Sequence, residues 1–438
     1  MKTKLTIIFF LLFHNTYGQL YFPPIASPVW DTISPASQGW CLDSLQTTYD
    51  FLQQKNTKAF IVLKDGKIAI EKYFGTFTKD SVWYWASAGK TLTAFLVGQA
   101  QEQGYLKITD TTSKYLGSGW TSLTTTQEQA ITIRHQLTMT TGLDDNFGND
   151  NCTLPACLAY KSPVGSRWAY HNAPYTLLHE VIDNATGNFN TFFNTQFRNR
   201  TGAFGLWLPG TGADSFNRIY YSTARNMARF GLLMLNKGVW NTDTLLRDTA
   251  YMRQMTTTSQ SMNLGYGYLT WLNGKASYMM PGLQLVITGR LAPNAPADMY
   301  AGLGKNDQKV YVIPSHNMVI VRMGNDAGFP AAAITAFDNE LWGKLKNIFC
   351  TPVGINNAAI AEERWQVYPN PANDYVVITN TNKQPYTATL YDVTGRRIKQ
   401  ITTEGTKHSL QIQDIASGMY YLQIQSHEVK TVMKILKQ

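Results

Sequence analysis

The order of periodic segments predicts an α+β fold, an α/β sandwich in which helices flank an antiparallel sheet, followed by a small all-β sandwich. Three observations carry this: a hairpin signal opens the chain, segments of helical period fill its middle, and short alternating segments recur beyond residue 365. With 438 residues, 44% of them hydrophobic and 15% charged, the chain can fill two or three domain cores, which excludes wholesale disorder and a collagen-like repeat.

Lys2 and Lys4 precede the apolar run 5–13, and small or polar residues lead to Gly18. Basic, apolar and small-residue segments in that order describe a secretory signal, expected over 1–18, and the run is too short to span a bilayer. No later stretch approaches 18 apolar residues, so no transmembrane helix is expected. After a Pro-rich lead-in, apolar runs at 59–63 and 68–70 flank Lys64-Asp65-Gly66-Lys67. Asp-Gly tolerates the positive φ of a type I′ turn, so antiparallel strands open the domain. From Ser87 the period becomes helical as far as Gly104, and 133–140, 175–184, 224–236 and 332–349 are further helical candidates. Alternating strands are expected at 309–313 and 318–323. Periodicity fades over 351–364, placing a linker at 351–365 between a first domain at 19–350 and a tail at 366–438. The tail alternates at 375–378, 388–393, 409–412, 420–424 and 431–435, the spacing of a β-sandwich.

The net charge of +9 is scattered, with no Lys/Arg run of five, and this argues against a nucleic-acid partner. Export would let Cys41, Cys152, Cys157 and Cys350 form disulfides. Cys152 and Cys157 are spaced to close a small loop, and a Cys41–Cys350 pair would bring the first domain's ends together, but four cysteines allow three connectivities. No Cys-x-x-Cys pair occurs, and no metal or cofactor is expected.

Ser87 is the only serine with a lysine three residues on, Lys90, and it lies where strand gives way to helix. Residues three apart share a helix face. A neutral lysine in a partly desolvated pocket can take the serine proton, a contribution of about 10²–10⁴ in rate, and the helix N-terminus offers an N–H to a developing oxyanion. The bland alternative is a solvated helix face. Against it, Trp83, Tyr84 and Trp85 precede Ser87 and an apolar helix follows.

The segment Trp85-Ala86-Ser87-Ala88-Gly89-Lys90-Thr91, then Gly104-Tyr105-Leu106, Arg134-His135-Gln136-Leu137, Thr141-Gly142-Leu143 and Tyr170-His171-Asn172, resembles the β-lactamase-related serine hydrolases. These include class C β-lactamases, D-Ala-D-Ala carboxypeptidases, esterases and 6-aminohexanoate-dimer hydrolases. The likeness runs on through Ser222-Thr223-Ala224-Arg225-Asn226, Gly265-Tyr266-Gly267-Tyr268 and Val312-Ile313-Pro314. It implies a β-lactamase/transpeptidase-like fold and an acyl-enzyme on Ser87, with Lys90 as base, Tyr170 as proton relay and Asn172 orienting substrate or Lys90.

The third family motif, Lys-Thr-Gly or His-x-Gly, falls on Gly302-Leu303-Gly304, where the usual cation is missing. Gly304 would let backbone approach the substrate and the N–H near Lys305 would complete an oxyanion hole, with Lys305 a stand-in for the cation. Gly302, Gly304, Lys305 and Asn172 are therefore the expected substrate contacts, and a neutral ester or amide the expected substrate. The alternatives are carboxypeptidase or β-lactamase chemistry, or a non-catalytic binder of cell-wall or peptide ligands. No Gly-x-Ser-x-Gly elbow occurs. His135 is expected to bond on its own helix. His179-Glu180-Val181-Ile182-Asp183 lacks the second His of a zinc helix. Trp168, Tyr268 and Trp271 read equally as pocket wall or core.

In the tail, Val367-Tyr368-Pro369-Asn370-Pro371, Leu390-Tyr391-Asp392-Val393-Thr394-Gly395-Arg396 and Ala416-Ser417-Gly418-Met419-Tyr420 resemble the C-terminal sorting domain of type IX secretion cargo. That resemblance implies the type IX machinery as a partner and a cell-surface or extracellular location. A sugar-binding or adhesive module is the other reading of the same strands.

Overall fold

In the computed structural model, which describes residues 20–146, 149–212, 215–328, 335–349, 365–380, 385–426 and 430–438, Asp65 and Gly66 take φ of 51° and 82°. Positive φ at both positions is the type I′ geometry, and the turn joins β1 (Thr57–Lys64) to β2 (Lys67–Tyr73). The short strands β3 (Val82–Tyr84), β4 (Gly205–Pro209) and β5 (Arg218–Thr223) form a separate three-stranded sheet in the order β3-β5-β4. Then come β6 (Trp271–Leu272), β7 (Tyr300–Gly304), β8 (Gln308–Ile313) and β9 (Met318–Gly324). With β1 and β2 they build the main antiparallel sheet, ordered β2-β1-β9-β8-β7-β6.

The principal helices are α1 (Leu45–Gln54), α2 (Gly89–Glu102), α3 (Asn172–Thr186), α4 (Ala224–Leu235) and α5 (Ala336–Ile348). Alternation along β8 sends its side chains to two layers. Val310 meets α4, where Gly231 leaves room: a Cβ there would lie 2.4 Å from Val319 Cγ1 and 3.0 Å from Val310 Cγ2. Lys309 and Tyr311 point the other way and bond the Asp338 carboxylate of α5 at 2.8 and 2.6 Å. Phe51 of α1 stacks on Phe337 of α5. The sheet is thus the middle of a sandwich, with one apolar core running through both faces.

The predicted strands and helices of the first unit fall on observed elements among the described residues; 332–334 of the last predicted helix lie outside them. Helix α1, strands β6 and β7 and the sheet β3-β5-β4 have no counterpart in the periodic reading; β3 and β6, at three and two residues, are too short to show a period. The chain divides into two compact units, 1–349 and 350–438. In the second, two sheets of three and four strands enclose a core of Val376, Ile378, Ala388, Leu390, Leu422 and Ile424. It has two strands the alternation missed, Trp365–Tyr368 and Arg397–Thr403. Trp365, placed at the end of the linker, is instead a core residue packed on Tyr386 with ring centroids 4.5 Å apart.

Cys152 and Cys157 form a disulfide. Cys41 is disulfide-bonded, and its N–H donates to Ile348 O at 2.9 Å, so the first unit's two ends meet. Cys350 and the expected signal segment lie outside the described residues. No described helix is long and apolar enough to cross a membrane.

Candidate active site

Strand β3 ends at Tyr84, and the chain reaches α2 through a 3-10 turn, Ala86–Ala88. Trp85, fully buried, anchors this junction: its N–H donates to Tyr220 O at 2.8 Å and its indole to Ser222 Oγ at 2.8 Å. The next residue, Ala86, adopts φ 47°, a left-handed conformation that costs a non-glycine residue about 1 kcal/mol or more. The strain is local to the turn that carries Ser87.

Lys90 Nζ lies 2.9 Å from Ser87 Oγ and 2.8 Å from Asn172 Oδ1. The lysine is 3% exposed, with its ammonium position 5.0 Å from the Tyr170 ring centroid and 4.2 Å from that of Tyr175. The Tyr170 phenol lies close enough to Ser87 to feel it: burial pushes the phenol above the ordinary range, while Ser87 pulls the other way. The four residues expected from Ser-x-x-Lys and Tyr-x-Asn therefore come together at one point. Asn172 opens α3, so the loop before that helix delivers Tyr170 and the helix itself delivers Asn172. Its Nδ2 donates to Asp150 Oδ2 at 2.9 Å.

The glycines of β7 press the sheet edge against the serine turn. A Cβ on Gly304 would stand 2.4 Å from Trp85 O and 3.0 Å from Ala88 N. On Gly302 it would meet Ala88 O at 2.9 Å and Val310 Cγ1 at 3.0 Å. No side chain fits at 302 unless the strand backs away, so the missing cation belongs to the packing of this site. Lys305 begins the turn after β7, where its side chain is exposed; the turn is held by Arg322, whose guanidinium donates to Asn306 O and Asp307 O at 2.8 and 3.0 Å.

Trp168 and Trp271 are buried against Tyr170: the Trp271 ring stacks on the phenol at 5.8 Å and Trp168 lies at 6.4 Å. They back the phenol. Tyr268 is elsewhere, bonding Gln254 and Arg134 and packing on Tyr251. His135 bonds Thr132 within its own helix cap. His179 meets Thr93 Oγ1 at 2.9 Å between the Phe189 and Trp207 rings. No metal-holding cluster of three or more His, Cys, Asp or Glu occurs among the described residues.

Burial lowers His171 to about 4 and His179 to about 3. Both stay neutral in the fold yet bind a proton below about pH 6.5 once unfolded, so stability is lost as pH falls from 6.5 towards those values. Each shift is worth roughly 3 kcal/mol or more when complete. The lowered carboxyls of Glu71 and Glu128 act only below their ordinary range, leaving pH 6.5 to 4.5 to the histidines. Thermal melts are expected to be flat from pH 7 to 9 and to fall steeply through that window, less so in His179→Gln. A flat profile from pH 7 to 4.5 would contradict the buried neutral state.

Sequence reasoning missed Tyr175 and Asp150. Tyr175 is three residues after Asn172 on α3, and helical spacing alone would have put it beside Asn172. Asp150 lies outside any periodic segment, and only its closeness to Cys152 marks it.

Residues 49–341 match the Beta-lactamase family model. The chain belongs to the beta-lactamase family. Residues 366–438 match the secretion system C-terminal sorting domain, which implies type IX handling and export to the cell surface or beyond. This beta-lactamase-family chain is 23% identical over 324 residues to an uncharacterized protein of Alkalihalophilus pseudofirmus, covering 66% of this chain and 89% of that one. In fold it is similar to a putative 6-aminohexanoate-dimer hydrolase from Bacillus anthracis, with TM-score 0.56 and 17% identity over 75% of this chain and 89% of that one. It is also similar to a putative beta-lactamase from Bacteroides dorei, with TM-score 0.52 and 17% identity over 71% and 99% of the two chains. Family and tail together describe an exported protein with a hydrolase fold.

Proposed function

We propose that the protein is a secreted serine hydrolase that cleaves neutral ester or amide bonds through an acyl-enzyme on Ser87. The observation that supports it most is the 2.9 Å contact between Lys90 Nζ and Ser87 Oγ in a site where Tyr170 also reaches Ser87. As the free amine, Lys90 takes the serine proton while Oγ attacks the substrate carbonyl. The oxyanion develops beside the N–H groups of Ser87 and Lys305, fixed dipoles that need no rearrangement. Collapse of that intermediate expels an alcohol or amine, which takes its proton from Tyr170 as Tyr170 takes the serine proton from the Lys90 ammonium, so the phenol ends protonated and Lys90 neutral. Burial disfavours a resting phenolate, so Tyr170 passes a proton on only as it receives one. Water then attacks the acyl carbonyl and gives one proton to the free amine of Lys90; that proton passes to Ser87 Oγ as the acyl–oxygen bond breaks, and the released acid keeps the other.

The substrate preference follows from Gly302. With no room for a cation on β7 at that position, the site gains little from a substrate carboxylate there, and the order of preference is ester, then amide or peptide, then β-lactam. The experiment is an intact-mass measurement after exposure to a fluorophosphonate, with a panel of a p-nitrophenyl ester, a linear amide oligomer, a D-Ala-D-Ala peptide and a cephalosporin. One adduct per chain and fastest turnover of the neutral ester are expected. Absence of any adduct, with no ester hydrolysis, would leave a binding protein.

A further inference from the structure

We infer that Asp150 is a positioning residue that sets the direction of the hydrogen-bond chain ending at Ser87, an inference that rests on the Ser87–Lys90 reading above. Asn172 is the link, accepting from Lys90 Nζ through Oδ1 at 2.8 Å and donating to Asp150 Oδ2 through Nδ2 at 2.9 Å. An amide can turn end over end, and its two orientations act oppositely on a neutral amine. With Oδ1 towards Lys90, the amine donates one N–H to Asn172 and keeps its lone pair for the Ser87 proton. With Nδ2 towards Lys90, the amide donates into that lone pair and competes with the serine. A carboxylate has only acceptors, so Asp150 holds the Nδ2 end and leaves Oδ1 to the lysine, through a charge-assisted bond stronger than a neutral one.

The fold holds Asp150 at this point by contacts that do not involve its carboxylate. Ala173 N–H, in the first turn of α3, donates to Asp150 O at 2.9 Å. The neighbouring Asn151 Oδ1 accepts from Asn217 at 2.7 Å, and Asn217 accepts from Thr176 of α3 at 2.7 Å. Cys152, two residues on, closes the disulfide with Cys157. The segment is thus tied to the same helix that carries Asn172, and carboxylate and amide keep their register. Among the described residues, titratable groups near Lys90 include Tyr170, Tyr175, His179 and, through Asn172, Asp150. Of these, the two phenols and the buried histidine are neutral near pH 7, and Asp150 supplies negative charge.

The test compares full-length wild type, Asp150→Ala and Asp150→Asn in single-turnover acylation by p-nitrophenyl acetate across pH 5–10. Asp150→Ala is expected to slow acylation about 10- to 100-fold with KM changed less than about threefold, the scale of a misaligned catalytic group. Asp150→Asn keeps an acceptor for Asn172 Nδ2 and is expected to recover most of that loss. Both variants remove the charge, so both are expected to move the acid limb of kcat/KM down by about one pH unit. Acylation by Asp150→Ala at the wild-type rate, or equal damage in both variants with an unmoved acid limb, would overturn the inference. An active Ser87→Ala variant would strike the nucleophile assignment and this inference with it; an inactive one beside an unaffected Asp150→Ala strikes the inference alone.

Discussion

Ser87→Ala is expected to lower kcat/KM for the preferred ester by about 10⁴-fold or more and to abolish the fluorophosphonate adduct, while changing Tm by no more than about 2 °C. The activity term is large because no neighbour can replace the nucleophile. The next hydroxyl in the site is the Tyr170 phenol, which burial keeps protonated and unreactive. The stability term is small because Ser87 sits between Ala86 and Ala88 in the 3-10 turn, and its Oγ contacts are to Lys90 and Tyr170. The turn itself is anchored through Trp85. Residual rate in the variant measures what the oxyanion donors and binding supply without a nucleophile. A variant that still hydrolyses ester at more than one hundredth of the wild-type rate would move the nucleophile elsewhere.

Ser87 and Lys90 are legible from their spacing where strand gives way to helix, whereas Tyr170 and Asn172 are legible through the family resemblance; the fold brings the pairs together. The hairpin at Asp65-Gly66 was equally legible, because two positive φ values are demanded by residues that tolerate them. The parts that stayed hidden depend on tertiary packing. Nothing in Ala86 announces φ 47°, since alanine has no intrinsic preference for it and the strain is imposed by the Trp85 anchor on one side and α2 on the other. The glycine at 302 signalled a missing cation, but only the 2.9 Å approach of its would-be Cβ to Ala88 O explains why a side chain is shut out. Asp150 was invisible for a different reason: it acts through Asn172, across 22 residues of sequence. Trp168 and Trp271 were ambiguous between wall and core; Trp271 stacked on Tyr170 and Trp168 tilted against it make a rigid backing for the proton relay.

Lys90→Met is expected to slow acylation by about 10³-fold, within the range of a lost general base, with KM changed little. Methionine has nearly the reach of lysine and no basic atom, so the buried space between the Tyr170 and Tyr175 rings stays filled. The opposite control is Lys90→Arg, which keeps positive charge beside Ser87 but stays protonated throughout the working pH range. If Lys90 served only as a fixed charge for the oxyanion, arginine would restore most of the rate. If it serves as a base, arginine fails as badly as methionine, and the wild-type rise of acylation with pH is lost in both. A Lys90→Ala variant adds a direct reading of the proton transfer: small primary amines should restore acylation in proportion to their free-base concentration. Rescue that follows the protonated form instead, or a Lys90→Arg enzyme within tenfold of wild type, would remove the lysine from the role of base and leave Tyr170 to accept the serine proton. That alternative is physically costly here, because a phenol raised by burial must first ionise in a site with little water to receive the charge.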